Sequence, residues 1–246
     1  MIVLPPEPPL ALTLASGELR LPALLCLPKR RPPLGALLVC HGAGSCKENH
    51  LIMAEQAAER GLAAMVFDFR GHGEADGRMD AAAIDDVAVA ARTLLAESGA
   101  PWLAGRGSSL GAFLLLLAAR KDPGLFRSLA LLCPADAASL LRGLDHFATL
   151  DASDDAEEPF RGRFDGASLR AFLAQSDVYD AALDMPRVLL AHARDDQDVP
   201  FAVSERLAGL LAPPTRLIAL PRGGHKGPQR SPLVARATLD WALEQA

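Results

Sequence analysis

The chain has 246 residues, half of them hydrophobic, with 30 acidic against 25 basic residues and a formal net charge of −5; this allows one large domain or two small ones and excludes a disordered chain. The negative balance and 5% aromatic content exclude a cationic, base-stacking surface, so no nucleic-acid partner is expected. The longest strictly apolar run is Ala112–Ala119, far short of the ~20 residues that span a membrane.

The N-terminus, MIVLPPEPPL, carries four prolines and no basic n-region. A signal peptide is therefore not expected, and a cytoplasmic protein is. Leu10–Leu14 and Glu18–Leu27 flank Ser16-Gly17 and read as an antiparallel hairpin. Gly35–Cys40 reads as a buried strand, Asn49–Arg60 as a helix and Ala63–Phe69 as the next strand. Ala81–Glu97 is an amphipathic helix with Ile84, Val87, Ala88, Ala91, Leu94 and Leu95 on one face. Trp102–Gly105 is a short strand, and Leu110–Arg120 a helix apolar almost all round, which must be buried on most sides. Strands are predicted at Arg127–Cys133, Arg187–His192 and Thr215–Leu220, and helices at Val203–Leu211 and Pro232–Leu243. Eight strands, the last six separated by crossovers, predict an α/β fold with a mostly parallel sheet. Pro134–Pro186 is longer than an ordinary connection. It holds an acidic stretch, Asp151–Glu158, read as a solvated loop, and a helical stretch, Ser168–Leu183.

Four cysteines, Cys26, Cys40, Cys46 and Cys133, form no CxxC pair. Three lie in strand-like stretches and read as buried free thiols of a reducing compartment, and Cys46 lies in a loop. No HExxH or related spacing and no dinucleotide or P-loop fingerprint occurs, so neither metal nor cofactor is expected.

The chemistry centres on Gly107-Ser108-Ser109-Leu110-Gly111, a G-x-S-x-G pattern between a strand and an apolar helix. Small flanking residues allow a sharp strand-to-helix turn that lifts the Ser109 hydroxyl out at the carboxyl end of the sheet. Ser108, the rival nucleophile, has Arg106 and Leu110 where the pattern needs glycine. A serine hydroxyl needs a base, and the base a group to orient it, in the chain order Ser, acid, His. After Arg187–His192 come three competing aspartates, Asp195, Asp196 and Asp198; after Thr215–Leu220 comes Gly223-Gly224-His225. His225 is the expected base. His41 and His72 read as structural, His50 and His146 as exposed helix residues, and Asp68 and Arg70 as a pair holding their loop.

From about residue 10 to the end, the chain resembles the α/β-hydrolase superfamily. His41-Gly42-Ala43-Gly44 resembles its oxyanion loop, Phe67–Gly73 the strand-end motif of its esterase and serine-aminopeptidase-like branches, and GSSLGA its nucleophile elbow. HARDDQDVP resembles HGxxDxxVP, which assigns the acid to Asp196. Phe172–Gln175 with Asp177–Asp180 resembles the end of the lid in small cinnamoyl/feruloyl-esterase-like carboxylesterases. The resemblance implies a single α/β-hydrolase domain over 1–246, an eight-stranded sheet with helices on both faces, and a short lid at about 135–184. It implies a Ser109–His225–Asp196 triad and oxyanion donors at the backbone N–H groups of Ala43 and Leu110. The substrate it implies is a small or medium carboxylic ester, with activity falling as pH drops through an imidazole pKa near ~6.5. The same triad could act on peptide, thioester or carbon–carbon bonds, and the fold could carry a catalytically silent binding protein.

Overall fold

The computed structural model describes residues 8–29, 31–149, 163–183, 185 and 187–244. Strands β1 (Leu10–Ser16), β2 (Leu19–Cys26), β3 (Gly35–Cys40), β4 (Leu62–Phe67), β5 (Leu103–Ser108), β6 (Ser128–Leu132), β7 (Val188–Ala193) and β8 (Thr215–Leu220) form one sheet. Its order is β1-β2-β4-β3-β5-β6-β7-β8. β2 pairs antiparallel with β1 and β4, and every other pairing is parallel. Among the described residues the helices are α1 (Leu51–Glu59), α2 (Ala83–Ser98), α3 (Leu110–Lys121), α4 (Ala137–Thr149), α5 (Gly166–Gln175), α6 (Val178–Ala182), α7 (Phe201–Leu210), α8 (Gly227–Arg230) and α9 (Pro232–Leu243). Among the described residues no helix is long and apolar enough to cross a membrane.

Alternation along the central strands divides the core. Leu38 and Cys40 of β3 and Met65 and Phe67 of β4 pack with α2 and α3 on one face. Leu37, Val39, Ala64 and Val66 pack with α1 and α9 on the other. Both faces are covered, so these strands read as unbroken apolar runs. The hairpin of β1 and β2, the buried α3 and the amphipathic α2 stand where the sequence places them, within a few residues at each end.

Several elements differ from expectation. β5 runs to Ser108 and not only to Gly105. Its Arg-Gly-Ser tail has turn-like composition, but Gly107 pairs with both Cys40 and Leu131, and pairing on two sides overrides local preference. The helix expected at Asn49–Arg60 is a 3-10 turn, Lys47–His50, followed by α1. The stretch Ser168–Leu183 splits into α5 and α6, because Asp177 caps α6 by accepting from the Tyr179 N–H at 2.7 Å. The long connection also contains α4, whose start is tied by the Asp136 carboxylate to the Ser139 N–H at 2.8 Å. Leu144, Leu169, Leu173, Val178 and Ala181 join the main core, and Phe172 meets Phe113 of α3 edge-on at 5.9 Å. The acidic stretch Asp151–Glu158 lies outside the described residues.

Parallel pairing aligns the carboxyl ends of β3, β5, β6 and β7. The His41-Gly42 loop, Ser109, Cys133 and the Asp195-Asp196 turn therefore leave the sheet at one edge, the usual place for a site in an open α/β sheet.

Candidate active site

Ser109 joins β5 to α3 with φ 52° and ψ −117°, a backbone that L side chains rarely adopt. A Cβ on Gly107 would lie 2.6 Å from the Ala112 Cα, and one on Gly111 2.3 Å from the His41 carbonyl oxygen. Both glycines are thus required by close packing. The turn is fixed by the Ser109 N–H donating to Leu132 O at 2.9 Å and the Phe113 N–H to Ser109 O at 3.0 Å. Ser108 is fully buried, and its hydroxyl is held by the Gln229 side-chain amide of α8. Ser109, not Ser108, takes the strained position.

The loop after β3 runs directly beside this elbow: a Cβ on Gly42 would be 3.4 Å from Ser109 Cβ. His41 braces the loop as expected. Its Nε2 accepts from the Phe69 N–H at 3.2 Å, so Nδ1 carries the hydrogen and donates to Gly42 O at 2.8 Å. Burial pushes its pKa down to about 3. His72 is also buried, 5.0 Å from His41 between ring centroids, and is pushed down to about 3. His50 corrects the sequence reading. It is 5% exposed rather than a surface residue, because the 3-10 turn folds it inward, and burial with the Arg106 charge lowers it to about 4. His146 is exposed.

Asp68 and Arg70 do not pair with each other. Asp68 accepts from the Lys47 N–H at 2.7 Å, Lys47 Nζ at 2.9 Å and the Glu74 N–H at 3.0 Å. Arg70 bonds Asp86 at 2.7 and 2.8 Å and Asp80 at 2.8 Å. The loop folds back over its own strand end, so each charge finds its partner on a different element. Asp68 thereby ties the far end of the His41 loop to the strand next door.

At the other side of the site, the three aspartates separate by environment. Asp196 is 6% exposed, and its Oδ2 accepts from His225 Nδ1 at 2.8 Å. Its Oδ1 accepts from the Asp198 and Val199 N–H groups at 2.9 and 3.0 Å. Burial alone would raise its pKa, but the bonds from His192, His225 and Val199 hold it well below the usual carboxylate range. Asp195 is exposed and accepts from the Gly223 and Gly224 N–H groups at 3.2 and 2.8 Å, so it latches the loop that carries His225. Asp198 is exposed.

Gly223 has φ 139°, which lets the chain turn back and aim His225 at Asp196. Burial would lower the His225 pKa, but Asp196 and Cys133 raise it to about 10. Cys133, at the end of β6 with φ 39°, donates its thiol hydrogen to the His225 carbonyl at 3.2 Å. Its neighbours Leu132 and Ala135 bond the Ser109 main chain at 2.9 and 3.4 Å. The Ser109 turn and the Asp196–His225 pair thus meet across the end of β6. Cys26, Cys40 and Cys133 are buried free thiols, and Cys46 is half-buried.

Three residues here escaped the sequence reading. His192 is fully buried; its Nε2 lies 3.0 Å from both Asp196 Oδ2 and Val199 O, and its Nδ1 2.8 Å from Ser204 Oγ. Two acceptors on Nε2 place a hydrogen there, so the ring orients Asp196 from behind. The i, i+4 spacing of His192 and Asp196 was the available signal. Gln229 and Cys133 gave none, since each acts through a partner distant in sequence.

A family model described as the alpha/beta hydrolase fold matches residues 35–154. An uncharacterized protein of Mycobacterium tuberculosis is 28% identical over 220 residues, covering 83% of this chain and 67% of that protein. Est1E from Butyrivibrio proteoclasticus, solved with ferulic acid bound, superposes with a TM-score of 0.81 at 21% identity, over 96% of this chain and 99% of that one. XC6422 from Xanthomonas campestris, described as a serine hydrolase without a lid, superposes with a TM-score of 0.66 at 20% identity, over 98% and 95% of the two chains. Sheet order, a strained elbow after β5 and these likenesses show that the chain has the α/β-hydrolase fold.

Proposed function

We propose that the protein is a serine hydrolase that cleaves small or medium carboxylic esters through an acyl-enzyme. The observation that carries this reading is the Asp196–His225 bond at Nδ1, built beside a strained Ser109. With Nδ1 engaged, Nε2 is the nitrogen left to exchange a proton. In this mechanism Ser109 Oγ attacks the ester carbonyl while His225 takes its proton. Asp196 stabilises the imidazolium, and His225 then protonates the leaving alcohol. Water, activated by the same ring, releases the acid.

The Leu110 N–H opens α3 and has no acceptor within its own helix. With the Ala43 N–H on the loop beside the elbow, it would hold the oxyanion, each donor contributing about 3 kcal/mol to the transition state. Helices α4 to α6, within the connection at about 135–184, form the lid in this reading. Ala43 offers no aromatic side chain beside the carbonyl, so short acyl esters and methyl ferulate belong in one substrate panel.

A fluorophosphonate probe is expected to label one site, mapped by peptide sequencing to Ser109, and Ser109→Ala is expected to remove the label. Folded wild-type protein that takes no label would sink the hydrolase reading. The raised His225 pKa also revises the pH expectation. Only the deprotonated ring is a base, and a folded pKa near 10 makes that form a minority at neutrality. The rate kcat/KM is expected to keep climbing above pH 7 with a slope of about one log unit per pH unit. A plateau reached by about pH 7 would refute that raised value.

A further inference from the structure

We propose that Cys133, Asp196 and His225 form a binding site for a thiophilic divalent cation such as Zn²⁺, and that its occupancy blocks hydrolysis. The three come from the ends of β6, β7 and β8. One ligand atom from each, a thiol sulfur, a carboxylate oxygen and an imidazole nitrogen, lies within 4.8 Å of the others. This is the donor set that tetrahedral zinc favours. Bond lengths of about 2.0–2.3 Å put donors about 3.5 Å apart, so side-chain shifts of about 1 Å seat an ion between them. The His225 side chain is 16% exposed, which gives an ion a route in.

Charge supports the site. Thiolate and carboxylate together match the two charges of the ion in a dry environment. Close by, Arg106 is 2% exposed, and its Nε and Nη1 have no hydrogen-bond partner among the described residues. Its charge acts on Cys133; it repels the ion, but one guanidinium against two anionic donors leaves the ion attracted.

Binding replaces the Cys133 S–H contact with the His225 carbonyl by a sulfur–metal bond, and the thiol proton leaves to solvent. The ion also takes the Nδ1 lone pair: the Nδ1 proton leaves to solvent from a doubly protonated ring, and moves to Nε2 in a neutral one. The ring metallated at Nδ1 therefore carries its hydrogen on Nε2 and cannot accept one from Ser109. The inhibition rests on the hydrolase reading above; the binding does not.

The test titrates the whole protein with Zn²⁺ alone by calorimetry, and with Cd²⁺ by the ultraviolet thiolate-to-metal absorption. Inhibition is scored relative to each variant's own metal-free rate. One ion per chain is expected, with a thiolate band, and inhibition reversed by EDTA. Cys133→Ser is expected to lose the band and weaken binding at least about tenfold. Cys46→Ala is expected to keep both, and so is Ser109→Ala, which separates binding from catalysis. Loss of the band in Cys46→Ala would overturn the site even if the Cys133 variant failed to fold. So would equal zinc sensitivity in wild type and Cys133→Ser, or a wild type that binds no ion. Binding that persists in a chain without esterase activity would leave the site standing and remove only the inhibition.

Discussion

Asp196→Asn is expected to lower kcat by about 10⁴-fold while leaving the fold intact. The asparagine keeps the shape but not the charge. Its amide nitrogen, presented to His225, would turn Nδ1 into an acceptor and move the ring hydrogen to Nε2, the nitrogen that must take the Ser109 proton. The imidazolium formed in the transition state would also lose its anion. The neighbouring change Asp195→Asn has a different expected size. Asp195 accepts from the main chain of Gly223 and Gly224, from an exposed position. Losing part of one hydrogen bond there costs about 1 kcal/mol, or roughly fivefold in rate through looser placement of His225. Steady-state rates on a nitrophenyl ester, with near-ultraviolet circular dichroism as the folding check, compare the two. An Asp195 variant more damaged than the Asp196 variant would reverse the assignment of the acid.

These two aspartates separate what is legible in the chain from what is not. The sharp turn at Ser109 is legible because its signal is local and steric: two glycines, a strand before and an apolar helix after. The turn that carries His225 is legible for a similar reason, since two glycines follow a strand end. Among Asp195, Asp196 and Asp198, spacing alone could not choose, and the choice came from resemblance to a motif. The structure distinguishes them by burial and by partners 29 residues away.

The misreadings share that cause. The inward position of His50 is not legible, because helical spacing says nothing about a 3-10 turn that rotates it inward. Closeness in sequence suggests an Asp68–Arg70 pair, but their partners Lys47 and Asp86 lie 21 and 16 residues away. The tail of β5 looked like a turn because glycine and serine prefer turns in isolation, and only its two neighbouring strands make it extended. The sheet itself was readable, since burial on both faces writes apolar runs directly into the chain.

Mild acid is expected to destabilise the fold steeply, by a route separate from catalysis. His41, His50 and His72 are buried and neutral, with folded pKa values lowered from 6.5 to about 3, 4 and 3. In the unfolded chain each protonates near 6.5; in the folded chain each stays neutral well below that. The unfolded state therefore binds more protons as pH falls, and stability is lost from about pH 6.5 downward until the folded rings protonate. At about pH 5 each ring costs about 2 kcal/mol, and the three together about 6 kcal/mol. His225 does not cancel this. Its folded pKa is raised, so its contribution is already complete below 6.5 and is lost only as pH rises toward about 10. Asp196 is shifted downward, and its contribution is lost only in stronger acid, below the ordinary carboxylate range near 3.8. Against a usual domain stability of about 5–15 kcal/mol, the histidine cost is large enough to bring the protein close to unfolding at about pH 5. Urea unfolding at pH 7.5 and at successively lower values measures it. The free energy should fall with a limiting slope of about three protons per molecule below pH 6, and an unchanged midpoint between pH 7.5 and 5 would show that these rings are not held neutral in the fold.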